Sequence, residues 1–91
     1  LNFDINESKS NYSSELDLRG KHVEEAHSIL KQFMDYSIMF SSSLLKIIHG
    51  KGNGVLRSFI RQELSQYKEV ERMEDEHADR GGSGVTVVYL K

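Results

Sequence analysis

LLKIIHGKGNGV, residues 44–55, joins five residues that are apolar except for Lys46 to a run of three glycines, a histidine and a lysine, and then to a valine. A short run with apolar residues on both parities reads as a central strand covered by helices. From the valine onward, Val55, Leu56, Phe59, Ile60, Leu64 and Tyr67 recur at three and four, the stripe of an amphipathic helix with Asn53 as its cap. Strand, glycine turn and helix start therefore follow one another within twelve residues. Such a junction leaves backbone N–H groups free at the positive end of a helix dipole, where a phosphate is readily seated.

The same alternation extends in both directions. Upstream, Glu15-Leu16-Asp17-Leu18-Arg19 alternates as a strand with Leu16 and Leu18 inward, and Gly20 ends it. From His22, the residues Val23, Ala26, Ile29, Leu30, Phe33 and Met34 predict a helix to about Asp35 or beyond. Downstream, Val70–Glu76 reads as a polar edge strand, its charges discouraging pairing with another molecule. Val85–Leu90 reads as a strand that forms a hairpin with it through the loop 78–84. The order βαβαββ predicts a small α/β (α+β) two-layer sandwich, with two helices on one face of a mixed four-stranded sheet. Residues 1–14, with only Leu1, Phe3, Ile5 and Tyr12 as anchors, are expected to be a linker or flexible arm. The first residue is not methionine, which suggests a piece of something longer.

Ninety-one residues with 37% apolar content suffice for one core. No stretch approaches the roughly 18 apolar residues of a membrane span, so no membrane partner is expected. The absence of cysteine removes disulfides and thiolate chemistry and fits a reducing, cytoplasmic setting. A formal charge of −2 argues against a generic polyanion-binding coat, yet Arg19, Lys21, His22, His49, Lys51, Arg57 and Arg61 flank the first two glycine clusters. The glycine run is neither G-x-x-x-x-G-K-[ST] nor G-x-G-x-x-G, so no nucleotide cofactor is expected on this domain.

All seven glycines fall into three clusters, each at a predicted turn. LDLRG (16–20), IHGKG (48–52) and GGSGVTVV (81–88) together closely resemble the Smr (small MutS-related) domain over residues 15–91. Within that family, LDLRG with HGKGNG and GGSGVT looks most like the C-terminal domain of the second bacterial MutS family, the anti-recombination branch. The resemblance implies a fold similar to the C-terminal domain of translation initiation factor 3 and a nicking or RNA-cleaving endonuclease activity. It also implies a parent ATPase, a homodimer through other domains, that suppresses homologous recombination and acts on stalled or collided ribosomes. Partners would be branched or structured DNA, and rRNA or mRNA on ribosomes. Family positions carry over to Asp17, Arg19, His49, Gly50 and Gly52; Arg19 stands where many members have histidine.

Asp17, Arg19 and His49 are the expected catalytic residues: His49, an imidazole near neutral pKa, would move a proton as general acid or base or donate to phosphate, the alternative being a hydrogen-bonded strand-end histidine. Asp17 could hold a divalent ion (Mg or Mn), orient His49 or activate a nucleophile, or it could simply pair with Arg19. Gly50, Lys51, Gly52, Asn53 and Gly54, with Lys21, Arg57, Arg61 and Gly82, form the expected phosphate-binding set. His22 and His27 are read as structural or surface residues. Asp75 and His77 share a strand face and are the other candidate metal ligands, although two ligands make no zinc site. The rival to an endonuclease is a DNA/RNA-binding module without chemistry, and a third reading is a protein-interaction domain using the acidic segment 69–79.

Overall fold

The structure is a computed structural model that describes residues 13–91. The arm reading for 1–14 therefore lies outside the described residues except at Ser13 and Ser14, and the Ser14 carbonyl already accepts from Lys46 N–H at 2.9 Å. Four strands follow: β1 (Glu15–Asp17), β2 (Leu44–Ile48), β3 (Val70–Asp75) and β4 (Val85–Leu90), with helices α1 (Val23–Met39) and α2 (Val55–Leu64). The sheet order is β1-β2-β4-β3. β1 runs parallel to β2, and β4 is antiparallel to both β2 and β3. The predicted mixed sheet and βαβαββ order are thus present, and β3 is the edge strand with a register shift between Val70 and Arg72.

One face of the sheet carries the core. Leu18, Leu45, Ile47, Val88 and Leu90 meet Ala26, Leu30, Phe33 and Met34 of α1 and Ile60 and Leu64 of α2. Each fully buried aliphatic side chain of this kind contributes about 1.5–3 kcal/mol. The helical stripes seen in the sequence are therefore the core faces of α1 and α2.

β2 was expected to be a central strand covered by helices, and they cover one of its faces. Only Leu45 and Ile47 reach the helices, while Leu44 is 42% exposed and Ile48 half-buried on the opposite face. That second face is shielded by long polar side chains instead of a helix. Lys46 Nζ lies 2.6 Å from Glu76 Oε2, and the Arg72 guanidinium sits 3.8 Å from the centre of the Tyr89 ring. Tyr89 in turn donates its hydroxyl to Glu74 at 2.8 Å.

Because each βα unit returns its helix antiparallel to its strand, α1 and α2 start at the same end of the molecule. The turns that feed them, 18–22 and 49–54, lie side by side because β1 and β2 are neighbours, with Asp17 in register with Ile48. The third turn joins them from β4. The Gly84 carbonyl accepts from His49 N–H at 3.0 Å and from Gly50 N–H at 2.9 Å. A Cβ on Gly84 would sit 3.3 Å from the Gly50 carbonyl carbon and 3.2 Å from Lys51 Cγ, so only glycine permits this approach without displacing the loop. Adjacency of all three glycine clusters was expected, but the contact is made by Gly84. Gly82, named from the sequence, donates its N–H to the His77 carbonyl at 3.1 Å.

Candidate functional site

The loop 49–54 encloses a cleft of about 180 Å³ lined by Gly20, Lys21, His49–Gly54, Leu56 and Arg57. His49 and Gly50 spend their amides on Gly84. Among the described residues, no backbone carbonyl takes the N–H groups of Lys51, Gly52, Asn53 or Gly54. The helix cap is Gly54, in the left-handed region at φ 83°, and not Asn53 as expected. Asn53 sits one residue earlier and accepts the Val55 N–H through Oδ1 at 3.1 Å. Lys21 and Lys51 are exposed at the cleft, and Arg57 lines it, its Nε–H buried. Loop amides without a backbone acceptor among the described residues and two lysines make an environment for an anion.

Asp17 and Arg19 immediately precede Gly20 and Lys21, which line the cleft. Arg19 Nε and Nη2 fork onto Asp17 Oδ1 at 3.0 Å and Oδ2 at 2.7 Å, and the Arg19 backbone N–H adds a third bond at 3.0 Å. These side-chain and backbone bonds hold the Asp17 carboxyl down to about 2. The Arg19 stem packs over Gly50, its Cγ 3.6 Å from where a Cβ would stand.

His49 is on the other side of the strand pair. Leu16 and Leu18 face the helices, which directs Asp17 away from them, whereas His49 is 6% exposed and bonded to inward-facing Thr86. The pairing of Asp17 with His49 considered from sequence is therefore not made. The Gly50 carbonyl can only accept, so Nδ1 at 2.9 Å carries the ring hydrogen, and Nε2 accepts from the Thr86 hydroxyl at 2.8 Å. Thr86 Oγ1 then accepts from Arg61 Nε at 3.1 Å. Arg61 Nη2 and Arg57 Nη2 meet on Asp75 Oδ1 at 2.6 and 2.8 Å. Five residues from the loop, α2, β3 and β4 are thus joined in one chain of hydrogen bonds.

This chain revises two expectations. Asp75 is the counter-ion of Arg57 and Arg61, while His77 accepts the Asp79 N–H at 3.2 Å and caps a 3₁₀ turn. Arg57 and Arg61 are correspondingly paired and not free cations. The divalent ion does not fit the donors at hand. Asp17 is one carboxylate already gripped by Arg19, and no group of three or more His, Cys, Asp or Glu side chains converges among the described residues. Thr86 and Asp75 are the residues whose roles sequence reading missed. The signal for Thr86 was present: it is the one hydroxyl at an inward position of an otherwise apolar strand, and it is fully buried.

Burial first, then the nearby Arg57 and Arg61 charges, lower the His49 pKa below its ordinary 6.5. A folded-state pKa below the unfolded one means the unfolded chain binds the extra proton. The stabilisation is complete above about pH 6.5 and is lost as pH falls through the folded-state pKa. The unfolding midpoint of the chain is expected to drop between pH 7 and 5, and His49→Gln to flatten that slope. An equal slope in the variant would show that His49 does not control it.

The family model described as Smr domain matches residues 16–91. The chain belongs to the Smr family. As an Smr domain, it is 43% identical over 86 residues to the protein named Endonuclease MutS2 of Finegoldia magna, covering 94% of this chain and 11% of that protein. The protein of the same name from Geobacillus kaustophilus is 42% identical over 79 residues, covering 87% and 10%. This Smr domain therefore spans about a tenth of the length of the curated relatives it matches. Among solved structures, the Smr domain of Thermus thermophilus MutS2 superposes with TM-score 0.80 at 43% identity, covering 85% of this chain and 96% of that one. YdaL, a stand-alone small MutS-related protein from Escherichia coli, gives 0.82 at 25% identity, covering 100% and 77%.

Proposed function

We propose that this Smr domain is the nucleic-acid-cleaving part of an endonuclease. The observation that carries the reading is the cleft with four free loop amides, Lys21 and Lys51, opening beside the Asp17–Arg19 fork. A phosphodiester seated on the amides at the start of α2 competes with Asp17 for the Arg19 guanidinium, since both are bidentate acceptors for it. Arg19 moves onto the phosphate and stabilises charge on its oxygens in the transition state. Asp17, released, accepts a proton from the attacking water as its oxygen bonds to phosphorus and the P–O bond to the leaving oxygen breaks. The leaving oxygen takes its proton from solvent. His49, neutral and buried, holds the loop in place from behind, so its effect is exerted through the position of the amides.

The longer protein in this reading is a MutS-like ATPase that limits homologous recombination and acts on stalled or collided ribosomes in the cytoplasm, with branched DNA and ribosome-bound RNA as its targets. The relatives named Endonuclease MutS2 support the endonuclease part of this reading. A binding module without chemistry is the second reading. It is favoured by one observation, that Asp17 and His49 both have their polar atoms engaged.

The deciding experiment incubates the purified chain with supercoiled plasmid and with structured RNA, with and without Mg²⁺ or Mn²⁺. Cleavage of either substrate above that of an Asp17→Asn control is expected, and Lys51→Ala should weaken binding at low salt more than it slows the saturated reaction. Equal binding by both proteins with no cleavage by the wild type supports the binding module.

A further inference from the structure

Beside the phosphate cleft, and sharing Asn53 and Gly54 with it, lies a second, shallow hollow open to solvent. Its floor is apolar: Val23 from the first turn of α1, with Val55 and Phe59 from α2. Its rim is polar without charge, made by Asn53, Ser58 and Gln62. Val55 is 56% exposed here, at the first helical position after the loop. An apolar side chain in that place does nothing for the core, which α2 meets through Ile60 and Leu64. Asn53 gives its Oδ1 to the Val55 N–H, which leaves its amide nitrogen to donate.

We infer that this hollow receives an unpaired base of the nucleic-acid strand whose phosphate occupies the neighbouring cleft. The inference rests on the phosphate-seating reading given above. A nucleotide combines an anion and a flat, largely apolar ring with hydrogen-bonding edges, joined through one sugar, and the two adjoining hollows present those two chemistries in the same order. Apolar side chains of the floor cover the ring face, and the amides of Asn53 and Gln62 with the Ser58 hydroxyl reach its edge. Bases stacked inside a regular duplex cannot enter such a hollow without unstacking, so the site selects frayed, looped or single-stranded segments. Contact with a ring face ignores the sugar, so the site treats deoxyribose and ribose strands alike.

The test measures binding of the chain to a single-stranded DNA oligonucleotide and to one of equal length and charge built from abasic units. The strand with bases is expected to bind at least about fivefold more tightly. Val55→Ser, a change at an exposed position, should remove that difference by weakening only the strand with bases. An RNA strand should lose affinity in the variant by the same factor as DNA. Equal binding of the two strands by the wild type overturns the inference and leaves the phosphate seat standing. So does a loss in Val55→Ser that is the same for both strands. Sedimentation showing a dimer that Val55→Ser dissociates overturns it as well, because the hollow would then be a contact between copies. Failure of both strands to bind at low salt removes the phosphate seat and the base site together.

Discussion

Asp17→Asn is expected to lower cleavage at saturating substrate by at least about 100-fold while binding of the same nucleic acid becomes tighter. The two directions follow from one pair of contacts. Arg19 is held on the Asp17 carboxylate by a fork of 3.0 and 2.7 Å, so in the free protein its charge is neutralised beside the cleft. An amide in place of the carboxylate weakens that grip and removes a negative charge from the path of the phosphate, which favours binding. It also removes the group that accepts the proton, which slows the reaction. Because Asp17 is exposed, the fold should be unaffected, and an unchanged unfolding midpoint is the control. Arg19→Ala should instead weaken both binding and rate. A variant Asp17→Asn that cleaves like the wild type would take Asp17 out of the chemistry. One that binds more weakly would show that Arg19 does not change partner.

Thr86→Val should produce the largest loss of stability among single substitutions around the loop. Valine fills the same volume, so the change isolates the hydroxyl. Thr86 is fully buried, and its hydroxyl is the partner of both His49 Nε2 and Arg61 Nε. Leaving buried polar groups unsatisfied costs about 1–3 kcal/mol each, more for a charged one. In a domain of this size each kcal/mol shifts the unfolding midpoint by about 4–8 °C. A fall of about 10 °C or more is therefore expected by calorimetry, largely restored in Thr86→Ser. Amide exchange should report the consequence for the site, with faster exchange at His49 and Gly50 as their bonds to Gly84 loosen. A midpoint within about 3 °C of the wild type would mean that water replaces the hydroxyl without loss.

Elements with a strong period were legible from the sequence. The three- and four-residue spacing from Val23 to Met34 and from Val55 to Leu64 could serve only a helix with one buried face, and the structure puts those residues on the core apart from Val23 and the exposed Val55 at the helix starts. β4 was legible because Val85–Leu90 has no other use than a central or covered strand, and β3 because its alternating charges suit an edge. The glycine clusters gave the turns, since Gly20, Gly50, Gly54, Gly81 and Gly82 all adopt positive φ that other residues avoid. Asn53 was misread as the cap because glycine and asparagine both end or begin helices, and the backbone angle that separates them is not written in residue type. β2 was read as a central strand covered by helices because periodicity reports only that both faces are apolar. It does not say whether a helix or the stems of Lys46 and its neighbours do the covering.

The sequence by itself determined the elements, their order, the family and the glycine turn between β2 and α2, because each of these depends on residues adjacent along the chain. Tertiary structure alone decided which polar groups are engaged. Asp17 and Arg19, two residues apart, could be paired on paper, but the split of Asp17 and His49 onto opposite sides of a strand pair depends on the β1–β2 register. The chain His49–Thr86–Arg61–Asp75–Arg57 joins residues separated by up to 37 positions, and nothing local specifies such a partner. Hydrogen bonds of that kind form when the sheet order brings β4 between β2 and β3, and the charge that a sequence counts as free is then found to be spent.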